Sequence, residues 1–280
     1  MLRAQKYGGI SRYFFELASR LPNYGANVNV ACIRNCNYYF KDMLGLCDVN
    51  KSGRIARAVE RRLFSRLNKA RALIELKKKY DIVHPTYYDP YLIGHYSGKL
   101  VITIHDMIYE KYADTYFYRD TATIENKRRN ILAADRIITI SNSTKRDLLY
   151  YYPELDEQKI AVIYHGASMY AHESKRKFSR MDSKPYVLFV GSRGIYKNFI
   201  RFIMSMRQIL DKNKDVNVFC AGGGEFTREE LGLIGEYRTR FFQAGLTDNE
   251  LADAYSNALC FVFPSEYEGF CRMTRTVAPT

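Results

Sequence analysis

Residues 185–198 read PYVLFVGSRGIYKN. Tyr186 to Val190 is an unbroken apolar run, the pattern of a strand buried on both faces. Gly191 breaks it, a polar loop follows with Arg193 and Gly194, and Lys197 stands where a helical pattern begins. A strand, a glycine-containing turn and a helix start with two cations suit a phosphate, because backbone N–H groups and positive side chains both favour an anion there. A Gly-x-x-Gly loop is equally the form of an ordinary βα turn, so its surroundings have to decide.

Downstream the alternation continues. A helical pattern covers 196–211, and a strand over 216–221 ends in Gly222-Gly223-Gly224-Glu225. A helix over 227–236 and a strand over 240–243 follow. Thr247 or Asp248 caps a helix over 249–257, and a strand over 259–263 runs into PSEYEGF (264–270).

Upstream, residues 5–21 begin with the Gly8-Gly9 turn and then place Ile10, Phe14, Leu17, Ala18 and Leu21 on one helical face, with Ser11 as a plausible cap. Short apolar runs predict strands at 27–33, 81–84, 99–104, 136–140 and 160–164. Helical patterns cover 119–134 and a short segment to Tyr150 capped by Ser143 or Thr144. Strands alternating with helices imply α/β architecture with parallel sheets. Residues 167–184 are polar, charged and nearly free of aliphatic side chains, which reads as a linker. The chain therefore divides into a first domain over 1–166, a linker over 167–184 and a second domain over 185–280. In such sheets ligands bind beyond the carboxyl ends of the strands, where His84, His105 and Ser141 stand. His105 is the favoured site residue because Asp106 follows it; a packed, hydrogen-bonded histidine is the other reading.

The composition is 47% hydrophobic with a net charge of +13. That excludes a disordered chain. No apolar run reaches the ~18 residues of a membrane span, and MLRAQKYGG has no secretory h-region. Six cysteines lack any C-x-x-C spacing. Cys32, Cys220 and Cys260 fall in strand-like runs and read as buried free thiols. This points to a reducing, cytoplasmic setting. Between Lys51 and Tyr80, eleven Lys/Arg meet two Glu. The helical pattern over 54–79 puts Ile55, Val59, Leu63, Phe64, Leu67, Ala70, Leu73 and Ile74 on the face expected to be buried, and Arg54, Arg57, Arg61, Arg62, Arg66, Lys69 and Arg71 opposite. That basic face suits peripheral contact with an anionic membrane, or it is simply a solvated helix surface.

The stretches QKYGGISRYF, DIVHPTYYDPY, VITIHD, RIITISNSTKRDL, VIYHG, YVLFVGSRGIYKN, AGGGEFTREE, GLTDNELADAYSNA and FPSEYEGF occur in one order along nearly the whole chain. In that order they resemble the family 4 glycosyltransferases of the GT-B fold, nearest to bacterial enzymes that build O-antigen or other surface polysaccharides, often mannosyltransferases. The resemblance implies two Rossmann-like domains facing a cleft. It implies transfer of a hexose from a GDP- or UDP-linked sugar to a glycan or lipid-linked acceptor, with retained configuration, no metal and no further cofactor. It assigns Arg193 and Lys197 to the donor diphosphate, His105 and Glu268 to the transferred sugar, and Gly8 and Gly9 to close backbone approach. Gly223, Glu225, Leu246 and Thr247 fall to the nucleotide. Consistent with this, no D-x-D stands at a strand end.

The sequence also departs from the family. Thr276 stands where a second Glu is expected eight residues after Glu268, and Cys271 where Gly is usual. The opening strand before Gly8 and the closing elements of the second domain are not in the sequence, so a fragment with an incomplete second domain is expected. Two alternatives stay open: an inactive remnant of such an enzyme, and a basic protein binding an anionic membrane or nucleic acid. No nucleic-acid module is recognisable, and no nucleic-acid partner is expected.

Overall fold

The computed structural model describes residues 7–33, 35–45, 54–166 and 184–270, with the side chains of 54–61 excepted. The expected linker, to residue 183, and the departures at Cys271 and Thr276 lie outside the described residues. The chain divides into two compact units, Met1–Ala113 with Phe117–His165, and Asp114–Tyr116 with Gly166–Thr280. Each holds its own parallel sheet with helices, the α/β class expected.

In the first unit the elements run α1 (Gly9–Arg20), α2 (Lys41–Leu44), α3 (Arg54–Glu75), β1 (Ile82–Val83), β2 (Lys99–Ile104), α4 (Ile108–Lys111), α5 (Thr121–Ala133), β3 (Arg136–Thr139), α6 (Asn142–Tyr151) and β4 (Ile160–Val162). The strands pair in parallel in the order β1-β2-β3-β4. Leu100, Ile102 and Ile104 of β2, with Ile131, Ile137 and Leu148, form its main core. Two caps differ from expectation. The N-cap of α1 is Gly8, so Ser11 lies inside the helix, buried with an unpartnered hydroxyl. The N-cap of α6 is Ser141, whose hydroxyl accepts from the Thr144 amide, because the helix starts two residues earlier than a Ser143 cap would allow.

The strand expected at 27–33 does not form. Val28, Val30 and Cys32 do turn alternately onto the Phe14–Phe40 core, as strand residues would. Their backbone has no ladder partner among the described residues, and strand geometry without a neighbour is not a strand. The segment is instead tied by side chains: Asn29 donates to Glu75 and to the Tyr80 hydroxyl, and the Ile33 amide donates to Asn68. These bonds fix which face of α3 turns inward. Ala72, Glu75 and Leu76 are buried, whereas Leu63, Leu67 and Ile74, expected inside, are 53%, 39% and 54% exposed.

The second unit continues with β5 (Tyr186–Val190), α7 (Phe199–Lys212), β6 (Asn217–Ala221), α8 (Arg228–Ile234), β7 (Phe241–Ala244), α9 (Asp248–Ser256) and β8 (Cys260–Phe261). The parallel order is β7-β6-β5-β8. Every residue of β5 and β6 is buried, as expected for strands sandwiched between helices. α7 buries Phe199, Phe202, Ile203, Met206 and Leu210 against one face. Helices α8 and α9 each start with a complete capping box, Thr227 with Glu230 and Thr247 with Glu250. Of the three cysteines expected to be buried, Cys220 is, Cys32 is half-buried and Cys260 is exposed, because β8 lies at the sheet edge. No described helix is long and apolar enough to cross a membrane.

Candidate functional site

In each unit the expected site residues gather beyond the carboxyl ends of the strands, and each unit has its own set. In the first, β1 delivers His84, β2 ends at His105, and β4 leads to His165. Tyr13 of α1 sits among them. Its ring lies edge-on to His105 at 5.2 Å and 4.9 Å from His165. The Thr103 hydroxyl lies 3.0 Å from Tyr13 Oη and 2.9 Å from His84 Nε2. Thr103 has one hydroxyl proton, so it can donate to only one of them.

His105 Nε2 is buried without a hydrogen-bond partner. Buried polar atoms are normally paired, so this one is a group held ready for something else or a point of stored strain. Gly8 and Gly9 form the N-terminal end of α1, and a Cβ at Gly9 would meet nothing within 4 Å. Space beside that backbone is therefore open, as close approach of a ligand requires.

Burial pushes His105 down to about 3, with His165, His84 and Lys127 acting in the same direction. Burial likewise takes His84 to about 4. Both rings are neutral at neutral pH. Their folded values lie below the ordinary 6.5, so the unfolded chain takes up protons first as pH falls. Stability contributed by the neutral rings is full above about pH 6.5 and declines towards pH 4. A lower melting midpoint at pH 5 than at pH 7 is expected, with a smaller difference in the His84→Gln/His105→Gln variant. Calorimetry at the two pH values checks it.

Behind this cluster lies a buried ion pair that the sequence does not announce. Lys127 of α5 donates to Glu110 Oε2 at 2.9 Å and to the Asp106 carbonyl at 2.6 Å. The two side chains are 1% and 4% exposed. Tyr152 Oη donates to the other Glu110 oxygen at 3.2 Å. This network holds the backbone directly after His105.

In the second unit the turn after β5 places its two cations differently. Lys197 pairs with Glu268 at the far end of the loop after β8, and its ammonium lies 5.1 and 5.5 Å from the ring centres of Tyr196 and Phe263. The pair is partly exposed, at 16% and 19%. The turn itself is fixed by Asn198 in the left-handed region, φ 58°, just before α7, a conformation asparagine tolerates better than most residues.

Arg193, expected to face a phosphate, turns inward. Its side chain is 4% exposed. Nε and Nη2 donate to the two Glu230 oxygens at 2.8 and 3.3 Å, Nη1 to the Gly222 carbonyl at 3.0 Å, and Nη2 to the Glu225 carbonyl at 2.7 Å. The guanidinium lies 5.3 and 4.9 Å from the rings of Phe199 and Phe226. Burial alone would raise the Glu230 carboxyl, but Arg193 and the Thr227 amide hold it below the usual range. With its donors so engaged, Arg193 shapes the loop rather than offering a free cation.

That loop is Gly222-Gly223-Gly224, all with φ between 75° and 91°. A Cβ at Gly223 would fall 2.6 Å from Arg193 Nη1 and 3.0 Å from the Gly191 carbonyl, so the residue is glycine for both conformation and space. The Glu225 side chain is exposed. Thr247 commits its hydroxyl and amide to the α9 capping box, and Leu246 packs half-buried against the core beneath β5. Sequence reasoning missed Tyr13, Thr103, His165, Tyr196 and Phe263. The aromatic residues flanking both motifs were the available signal. Among the described residues no group of three or more His, Cys, Asp or Glu could hold a metal.

Comparison with known proteins gives the family and the fold. The family model described as Glycosyltransferase Family 4 matches residues 7–169, and that described as Glycosyl transferases group 1 matches residues 150–273. The chain is 28% identical to alpha-maltose-1-phosphate synthase of Mycobacterium tuberculosis over 156 residues, covering 49% of this chain and 40% of that protein. It is 25% identical to the O-antigen chain mannosyltransferase RfbU of Salmonella typhimurium over 174 residues, covering 60% of this chain and 46% of that protein. The chain thus spans under half the length of these relatives. Its fold is similar to sucrose-phosphate synthase from Thermosynechococcus elongatus, with a TM-score of 0.67 at 19% identity over 96% of this chain and 74% of that one. The chain belongs to glycosyltransferase family 4.

Proposed function

We propose that the chain is a glycosyltransferase that moves a hexose from a nucleotide sugar to a glycan or lipid-linked acceptor. The observation that carries this reading is the Lys197–Glu268 pair beyond β5 and β8, in the same unit as the glycine loop after β6 that Arg193 holds in place. A partly exposed ammonium at that position can take a donor phosphate in place of Glu268 and neutralise the charge that grows on the departing nucleotide. Glu268, released from the ion pair, is placed to accept hydrogen bonds from sugar hydroxyls. Neutral His105 offers a buried imidazole in the first unit, and the N-terminus of α1 at Gly8 and Gly9 adds backbone donors.

Mannose as the sugar and surface polysaccharide as the product follow the RfbU similarity. Retention, metal independence and a GDP- or UDP-linked donor follow the family. A contact of residues 54–79 with an anionic membrane fits a lipid-linked acceptor.

Lys197→Ala is expected to lower turnover by roughly 10²–10³-fold, the size seen when a group stabilising transition-state charge is removed, while the second unit melts as before. Release of nucleoside diphosphate from a nucleotide sugar in the presence of acceptor measures it. Undiminished turnover in Lys197→Ala would remove this residue from the mechanism.

A further inference from the structure

The solvent side of α3 is not the polar face that a helix packed on a core usually presents. Leu63, Leu67, Ala70 and Ile74 lie within one narrow stripe at i, i+4, i+7 and i+11, about 16 Å long at 1.5 Å per residue. All four are exposed, and the stripe faces directly away from the buried residues Ala72, Glu75 and Leu76. Cations border it on both sides. Arg62 and Arg66 line one edge, both exposed and without an acidic partner among the described residues. Arg71, paired with Glu75, lines the other, and the turn after the helix adds exposed Lys77 and Lys78, the latter also paired with Glu75.

We infer that this face of α3 lies on an anionic lipid surface, with Leu63, Leu67 and Ile74 entering the headgroup–acyl boundary and the flanking Arg and Lys meeting lipid phosphates. An apolar centre with a cationic rim is the pattern of helices lying in the membrane interface, and each cation near such a surface adds to the attraction. The occupant is chosen by charge. A second copy of this face would set its cations against their like. Nucleic acid would meet the cations but leave the apolar stripe without a partner. The helix lies on the membrane rather than across it, since no described helix can span one. The contact involves the first unit alone and does not depend on which sugar is transferred.

The chain has no tryptophan, so Leu67→Trp introduces a single reporter on the stripe. Vesicles of phosphatidylcholine alone and of phosphatidylcholine with about one-third phosphatidylglycerol are the probes. Sedimentation with the anionic vesicles is expected to exceed that with neutral ones by at least tenfold, falling with salt. The indole emission of the Leu67→Trp variant should shift to the blue only with the anionic vesicles. Leu63→Ser/Leu67→Ser/Ile74→Ser should lose at least tenfold in binding while keeping the wild-type melting profile, since all three side chains are exposed. Three outcomes would overturn the inference: no preference for anionic vesicles; the triple variant binding as well as wild type, which would leave charge alone; or a self-associating chain whose dimer is broken by the triple substitution without vesicle binding.

Discussion

Lys127→Met is expected to destabilise the first unit by about 3–5 kcal/mol, the range for removing one partner of a buried ion pair. The methionine fills the volume of the lysine stem but leaves the Glu110 carboxylate, 4% exposed, without its cation. The Asp106 carbonyl loses its donor in the same step, so the backbone after His105 loosens as well. At about 2–4 °C per kcal/mol for a unit of this size, the melting midpoint should fall by roughly 6–20 °C. Replacing both partners, Lys127→Met/Glu110→Gln, should recover most of the loss, because the uncompensated charge is gone. Calorimetry of the two variants decides it. A loss below about 1 kcal/mol, or a double variant no better than the single, would show that the pair carries no such weight.

Arg193→Ala should have a comparable effect on the second unit, about 3–5 kcal/mol, for the same reason. It strands Glu230, whose side chain is 11% exposed, and it takes donors from the Gly222 and Glu225 carbonyls. Arg193→Lys should not rescue it, since an ammonium cannot reproduce the planar fork that reaches Glu230 and two carbonyls at once. Lys197→Ala, which touches only the partly exposed pair with Glu268 among charged groups, should leave the melting midpoint close to wild type. If Arg193→Ala melts like wild type but fails to bind a nucleotide, Arg193 faces the phosphate after all and the inward placement is wrong.

The contrast between Arg193 and Lys197 shows where sequence reading stops. Both stand in one turn, both are cations, and spacing alone gives them one role. The difference lies in Glu230, thirty-seven positions on, and in Phe199 and Phe226, which flank the guanidinium. The strands β5 and β6 were legible because burial on both faces leaves continuous apolar runs. A cap at Thr247 or Asp248 was legible because a capping residue lies within three positions of the amide it serves, and the structure takes Thr247, with Glu250 closing the box. Local signals of that kind survive in a single sequence. The orientation of α3 was not legible, since Leu63, Leu67 and Ile74 make a regular apolar stripe and nothing local says that the opposite side, anchored through Asn68 and Glu75, is the one that packs. The segment 27–33 shows the same limit from the other direction. Its alternation is that of a strand, but a strand also needs a neighbour. The Lys127–Glu110 pair left no trace at all, being two ordinary charged residues seventeen apart.

The central claim is that the second unit holds a nucleotide-sugar site built on Lys197. Calorimetric titration of the chain with GDP, UDP and ADP, and then with their sugar conjugates, tests it most directly. The account predicts saturable binding of one nucleotide, weakened at least tenfold by Lys197→Ala. A folded chain that binds none of the three would contradict it and leave a family member that keeps the fold without the donor site.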